Sequence, residues 1–123
     1  MFELVDTNGT YASTPTTLYS FTAGFDGANP YAGLITDAAG DLFGTTFAGG
    51  GFGVGTVFEI TDTNGTYAST PTTLYSFTGG ADGADPRANL IMDAAGDLFG
   101  TAYDGGSSNN GTVFEIQYSN GTY

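Results

Sequence analysis

The sequence predicts an all-β chain of propeller-like blades, each of four antiparallel strands, organised as two 56-residue repeats plus a partial third. Three observations carry the prediction. Phe-Glu followed by Leu or Ile recurs at Phe2, Phe58 and Phe114, which sets the period at 56 residues. Roughly three quarters of the positions one period apart are identical, and a period of this size is that of a blade. Short apolar runs alternate with Gly, Pro and Asn-Gly turn signals, and no stretch spaces apolar residues three and four apart over helical length.

The elements follow in order within one period. "AGLIT" (32–36) and "DLFGTTF" (41–47) read as the first two strands, joined by Asp37-Ala38-Ala39-Gly40, whose last glycine suits the left-handed position of a bulged hairpin. "GTVFEIT" (55–61) is the third strand, reached through a Gly-rich loop. "TTLYSFT" (72–78) is the fourth, reached through the Asn64-Gly65 turn and Pro71. "GGADGADPRAN" (79–89) reads as a loop into the next unit. Val57 and Glu59 are expected on one face of their strand and Phe58 and Ile60 on the other, while Leu74 is expected opposite Tyr75 and Phe77, so that both faces offer apolar groups to stacked neighbours. Gly44 and Gly100, mid-strand, mark a close backbone approach near a crowded axis. The whole chain, 1–123, is expected to form one repeat module: repeat 1 at 2–57, repeat 2 at 58–113, and a partial repeat at 114–123.

Composition excludes several functions. Thirteen acidic residues face Arg87 alone, with no lysine or histidine, a formal net charge of −12. Phosphate-binding partners require clustered Lys and Arg, so no nucleic acid is expected, and no apolar run is long enough for membrane insertion. The absence of His and Cys excludes Ser-His-Asp and Cys-His nucleophilic sites and thiolate or imidazole zinc sites. Paired carboxylates are then the one catalytic option, but Glu3, Glu59 and Glu115 occupy the same place in each unit and read as repeat residues. No catalytic site is expected and the binding residues are unknown from the sequence alone.

The remaining polar candidates each carry two readings. Asp26, Asp82 and Asp85 lie with Gly in oxygen-rich loops, where calcium is the one cofactor suited to them; Asp-Gly is equally the composition of a tight turn. Asp37, Asp41, Asp93 and Asp97 flank the hairpin loop and read as turn residues. Asn8, Asn64, Asn110 and Asn120 each begin Asn-Gly-Thr, which fits an N-glycosylation acceptor and also a hairpin turn. The hydroxyl- and Pro-rich "ASTPTT" (12–17 and 68–73) would suit O-linked sugar. Among the aromatics, Phe25, Tyr31, Phe47, Phe52 and Tyr103 are assigned to loops where the two units differ, a pattern suited to recognition of glycans or surface proteins.

The segments "DGANPYAGLITDAAGDLFGTTFAGGGFGVGTVFEI" (26–60) and "DGADPRANLIMDAAGDLFGTAYDGGSSNNGTVFEI" (82–116) resemble the Gloeo/Verruco repeat, a bacterial family in which DGA-P-A-L, GDLYGTT, GG and GTVF recur in that order. The resemblance implies an extracellular or cell-surface repeat with a propeller-like fold and supplies no catalytic residues. Labelled by position in the blade, the strands run third, fourth, first, second, third, fourth, first, second, third. Two blades cannot enclose a channel, and their flanks expose apolar faces and strand edges. The expected function is therefore that of a non-catalytic structural repeat that self-associates head to tail into a ring or fibre, with the terminal Phe-Glu strands completing a neighbour's blade. The alternative is a glycan- or protein-binding module using the variable loops, in a calcium-dependent form or without calcium.

Overall fold

The computed structural model describes residues 1–123 and contains strands and turns but no helix. Four short strands open the chain: β1 (Phe2–Glu3), β2 (Asp6–Thr7), β3 (Thr10–Tyr11) and β4 (Thr16–Thr17). The first complete sheet uses β5 (Ile35–Thr36), β6 (Leu42–Thr46) and β7 (Thr56–Ile60). The small hairpin of β8 (Asp62–Thr63) and β9 (Thr66–Tyr67) follows, and β10 (Thr72–Ser76) completes the set. The last part holds β11 (Ala84–Pro86), β12 (Ile91–Met92), β13 (Leu98–Asp104) and β14 (Thr112–Ile116).

The order β5-β6-β7-β10 forms a four-stranded antiparallel sheet, with the strands in their expected sequence from first to fourth. One period later β12, β13 and β14 repeat the first three, and β11 joins the same edge of β13 as β12, further along that strand. At the N-terminus β1 pairs β4 with Phe2 opposite Thr17 and Glu3 opposite Thr16, the register in which Phe58 opposes Thr73 and Glu59 opposes Thr72. All three assemblies thus obey one repeat, and no sheet closes on itself as a barrel.

Local chemistry accounts for the turns. Asn64 and Gly65 take φ of 54° and 81°, the doubly left-handed pair of a type I′ turn, and so join β8 to β9. The Asp37–Gly40 loop ends on Gly40 at φ 95°, as its sequence predicts. Asp37 Oδ1 accepts from the amides of Ala39 and Asp41, both at 2.9 Å, which holds the loop closed.

Four expectations are corrected. The 79–89 segment is not all loop: Ala84 and Pro86 pair with Asp104 and Ala102, because β13 runs past the end of β12 and offers the edge they occupy. Repeat 1 reduces the same contact to one bridge between Ala28 and Ala48. The first strand is regular only over Ile35–Thr36, not from 32. Leu74 does not simply alternate with Tyr75, since the register shifts between Thr73 and Tyr75 and leaves Leu74 as the extra residue of a bulge. Finally, the crowding at Gly44 comes from side chains rather than backbone. Gly44 lies directly opposite Phe58, and a Cβ there would stand 2.7 Å from Phe58 Cζ and 2.8 Å from Leu34 Cδ2.

Packing between sheets repeats with the period. Phe77 meets Phe114 edge-on at 5.0 Å between ring centroids, and Phe21 meets Phe58 in the same way at 5.1 Å. Phe43, Val57, Phe77, Leu90, Leu98 and Ala102 form the main buried cluster, which lies between the two larger sheets. Each edge-on pair contributes about 0.5–1.5 kcal/mol beyond its buried area. Along the first-strand edge the Gly33 amide donates to Asn89 Oδ1 at 2.7 Å, so two positions one period apart touch directly.

Candidate functional site

The carboxylates resolve into structural roles first. Asp26 accepts from the Thr22 hydroxyl (2.6 Å), the Thr22 amide (2.7 Å), the Gly24 amide (3.1 Å) and the Tyr19 hydroxyl (2.8 Å). Asp82 repeats this with the Thr78 hydroxyl and amide and with Tyr75 at 2.9 Å. Partial burial pulls the Asp26 carboxyl upward, but the Thr22 and Tyr19 donors outweigh it and hold it at about 2. Asp82 is lowered by the same balance. These donors occupy both oxygens of each aspartate, and one such loop serves each repeat. Asp85 lies apart on β11, its carboxyl raised by burial and then by Asp104. The three aspartates grouped by sequence are therefore not brought together, and no cluster of three or more metal-ligating side chains forms elsewhere. Asp41 and Asp97 likewise serve the fold, accepting from the amides of Asp62 (2.6 Å) and Tyr118 (2.7 Å), while Asp93 holds its own loop as Asp37 does.

Glu59 faces a cleft shared with Asp37, Asp41, Tyr118 and Tyr123. Burial, then Asp41 and Asp37, raises its carboxyl. Tyr123 closes the cleft by donating to the Gly96 carbonyl at 3.0 Å while meeting Phe43 edge-on, and burial, followed by the nearby acids, pushes it up to about 12. Glu3 and Glu115 occupy the corresponding positions on β1 and β14.

Of the Asn-Gly-Thr sites, Asn8, Asn64 and Asn120 occupy left-handed turn positions. Asn110 departs from them: the positive φ values fall on Asn109 and Gly111, and its side chain donates to the Ser108 carbonyl at 2.9 Å.

The aromatic candidates divide. Phe25 and Phe52 are exposed and separate, whereas Tyr31, Phe47 and Tyr103 join a row that sequence reasoning did not find. Tyr103 is on β13 rather than in a loop, because that strand extends to Asp104. The Arg87 guanidinium lies 4.7 Å from the Phe47 ring and 4.3 Å from the Tyr103 ring, and Tyr31 meets Phe47 at 5.5 Å. Phe47 and Tyr103 are one period apart, as are Tyr31 and Arg87, so Arg87 holds beside Tyr103 the place that Tyr31 holds beside Phe47. The single cation thus ties two successive sheets together through their aromatic faces.

The ends of the stack expose apolar residues whose equivalents are buried in its middle. Val57 is 0% exposed in β7, while its equivalent on β14, Val113, is 82% exposed. Phe58 is 0% exposed, while Phe2 is 65% exposed. β14 pairs β13 along five residues and leaves its other edge free, whereas β7 carries β10 on that edge. A groove lined by Tyr75, Phe77, Val113, Phe114 and Ile116 runs beside this free edge.

The Gloeobacter/Verrucomicrobia repeat matches the chain over residues 2–123. No curated protein and no solved structure matches it.

Proposed function

The chain belongs to the Gloeobacter/Verrucomicrobia repeat family, and from that premise we propose that it is a non-catalytic, extracellular or cell-surface structural module whose sheets stack as propeller-like blades and associate head to tail into a ring or fibre. The observation that carries this reading is the contrast between equivalent residues: Val57 and Phe58 are sealed in the middle of the stack, while Val113 and Phe2 are open at its ends. Burying a side chain of this size contributes about 1.5–3 kcal/mol. The two ends differ from one another, so the contact is heterologous and propagates until rotation closes it or a fibre results. Contact between equivalent positions at Gly33 and Asn89 supports a blade-like stack that draws together along its first-strand edge.

Sedimentation velocity over a concentration series, followed by electron microscopy, tests the assembly. The expected outcome is a ladder of oligomers that grows with concentration and resolves into rings or filaments. A single monomeric species at millimolar concentration would exclude it.

A second reading, recognition of glycans or proteins, is favoured by the exposed Tyr31 and Tyr103 at the ends of the aromatic row around Arg87. A glycan array probed with the intact chain and with Tyr103→Ala tests it, since only a sugar stacked on that row would lose binding with the ring.

A further inference from the structure

We propose that residues 16–20 of a second copy of this chain add to the free edge of β14 as its fourth strand, and that this segment leaves its own β1 to do so. The proposal rests on the head-to-tail reading above and specifies its contact.

The occupant is defined by the repeat. The edge of β7 that corresponds to the free edge of β14 is filled by β10, with Thr72 opposite Glu59, Thr73 opposite Phe58, Tyr75 opposite Val57 and Ser76 opposite Thr56. Residues 6–22 are identical to 62–78, so Thr16–Ser20 carries the side chains of β10 without a change. Shifted by one period, the intermolecular register sets Thr16 opposite Glu115, Thr17 opposite Phe114, Tyr19 opposite Val113 and Ser20 opposite Thr112. Val113, the most open of the equivalent apolar residues, lies on the face that the next copy's first sheet then covers, as Val57 lies in the cluster between the two sheets of one chain.

The segment is weakly held where it is. Its own ladder covers Thr16 and Thr17 only, extended by hydrogen bonds of 3.1 Å from the Leu18 amide to the Met1 carbonyl and from the Met1 ammonium to the Tyr19 carbonyl. β14 offers five residues already ordered by β13. The transfer also leaves the packing of Phe21 on Phe58 within the second copy intact. The completed β12-β13-β14 sheet with its borrowed strand then lies against the next copy's first sheet, as the first sheet lies against the second within one chain.

The chain has no cysteine, so paired thiols report the contact without interference. Glu3→Cys with Thr16→Cys joins directly opposed residues of β1 and β4 and locks the segment at home when oxidised. Oxidation is expected to raise the concentration needed for association by roughly tenfold or more, and reduction to restore it. Thr16→Cys with Glu115→Cys is expected to form a disulfide between chains, seen as a covalent ladder on a non-reducing gel. Association that ignores the lock and yields no covalent ladder overturns the strand transfer while leaving head-to-tail assembly standing. A chain that stays monomeric in both redox states, as the wild type also does, overturns both.

Discussion

At the scale of single residues, the loops are held by carboxylates whose ionisation is part of the fold. Asp26 sits at about 2 against an ordinary value of 3.8, and Asp82 is lowered too, so the unfolded chain binds more protons than the folded one as pH falls through this window. The stabilisation is complete above 3.8 and is lost toward pH 2. The melting temperature is expected to fall over that range, and Asp26→Asn with Asp82→Asn should lower it at neutral pH and flatten its acid dependence. Thermal unfolding measured from pH 6 to pH 2 checks this; an unchanged acid slope in the double variant would remove these two residues from the account. Gly44 makes a second prediction at this scale. Ala there brings a Cβ against the Phe58 ring and Leu34, and such overpacking costs about 1–3 kcal/mol by denaturant unfolding. The same change in a Phe58→Leu background should cost less, because the ring atom it meets is gone.

Among elements, the decisive contacts are those the period repeats. Phe77 is buried against Phe114, and Phe77→Ala is expected to destabilise by about 3–5 kcal/mol. Phe21→Ala removes the equivalent ring from a half-open site and should cost less, which urea unfolding of the two variants distinguishes. These strands were legible because "TVFEI" and "TTLYSFT" combine branched and aromatic residues between turn signals. β11 was not, since Ala84-Asp85-Pro86 lacks strand formers and is ordered only by the overhang of β13. The bulge at Leu74 was also hidden, because alternation in one strand says nothing about the register of its partner. The turn aspartates could be read as structural from their recurrence. The row around Arg87 could not be read from residues taken singly, because Tyr103 meets it through the pairing of β11 with β13 and Phe47 only when one sheet is laid on the next.

For the whole molecule, assembly has to overcome charge. Each copy carries a net −12 with one cation, and Arg87, whose charge also acts on the Asp85 carboxyl, is held between the Phe47 and Tyr103 rings. Stacking copies end to end brings like-charged bodies within a Debye length, about 30 Å at 0.01 M salt and 8 Å at 0.15 M, while the apolar contact at Val113 is little affected by such salt. Association is therefore expected to strengthen as sodium chloride rises from 0.01 to 0.5 M, the opposite of an assembly held by ion pairs between copies. Calcium chloride matched for ionic strength separates screening from site binding. With the oxygens of Asp26 and Asp82 already taken by their own loops, calcium should act no differently from the sodium salt. Sedimentation at fixed protein concentration reads both arms. Weakening by sodium chloride would indicate that ion pairs rather than apolar faces hold the copies, and a response to micromolar calcium that a chelator reverses would show that the loop aspartates rearrange to bind it.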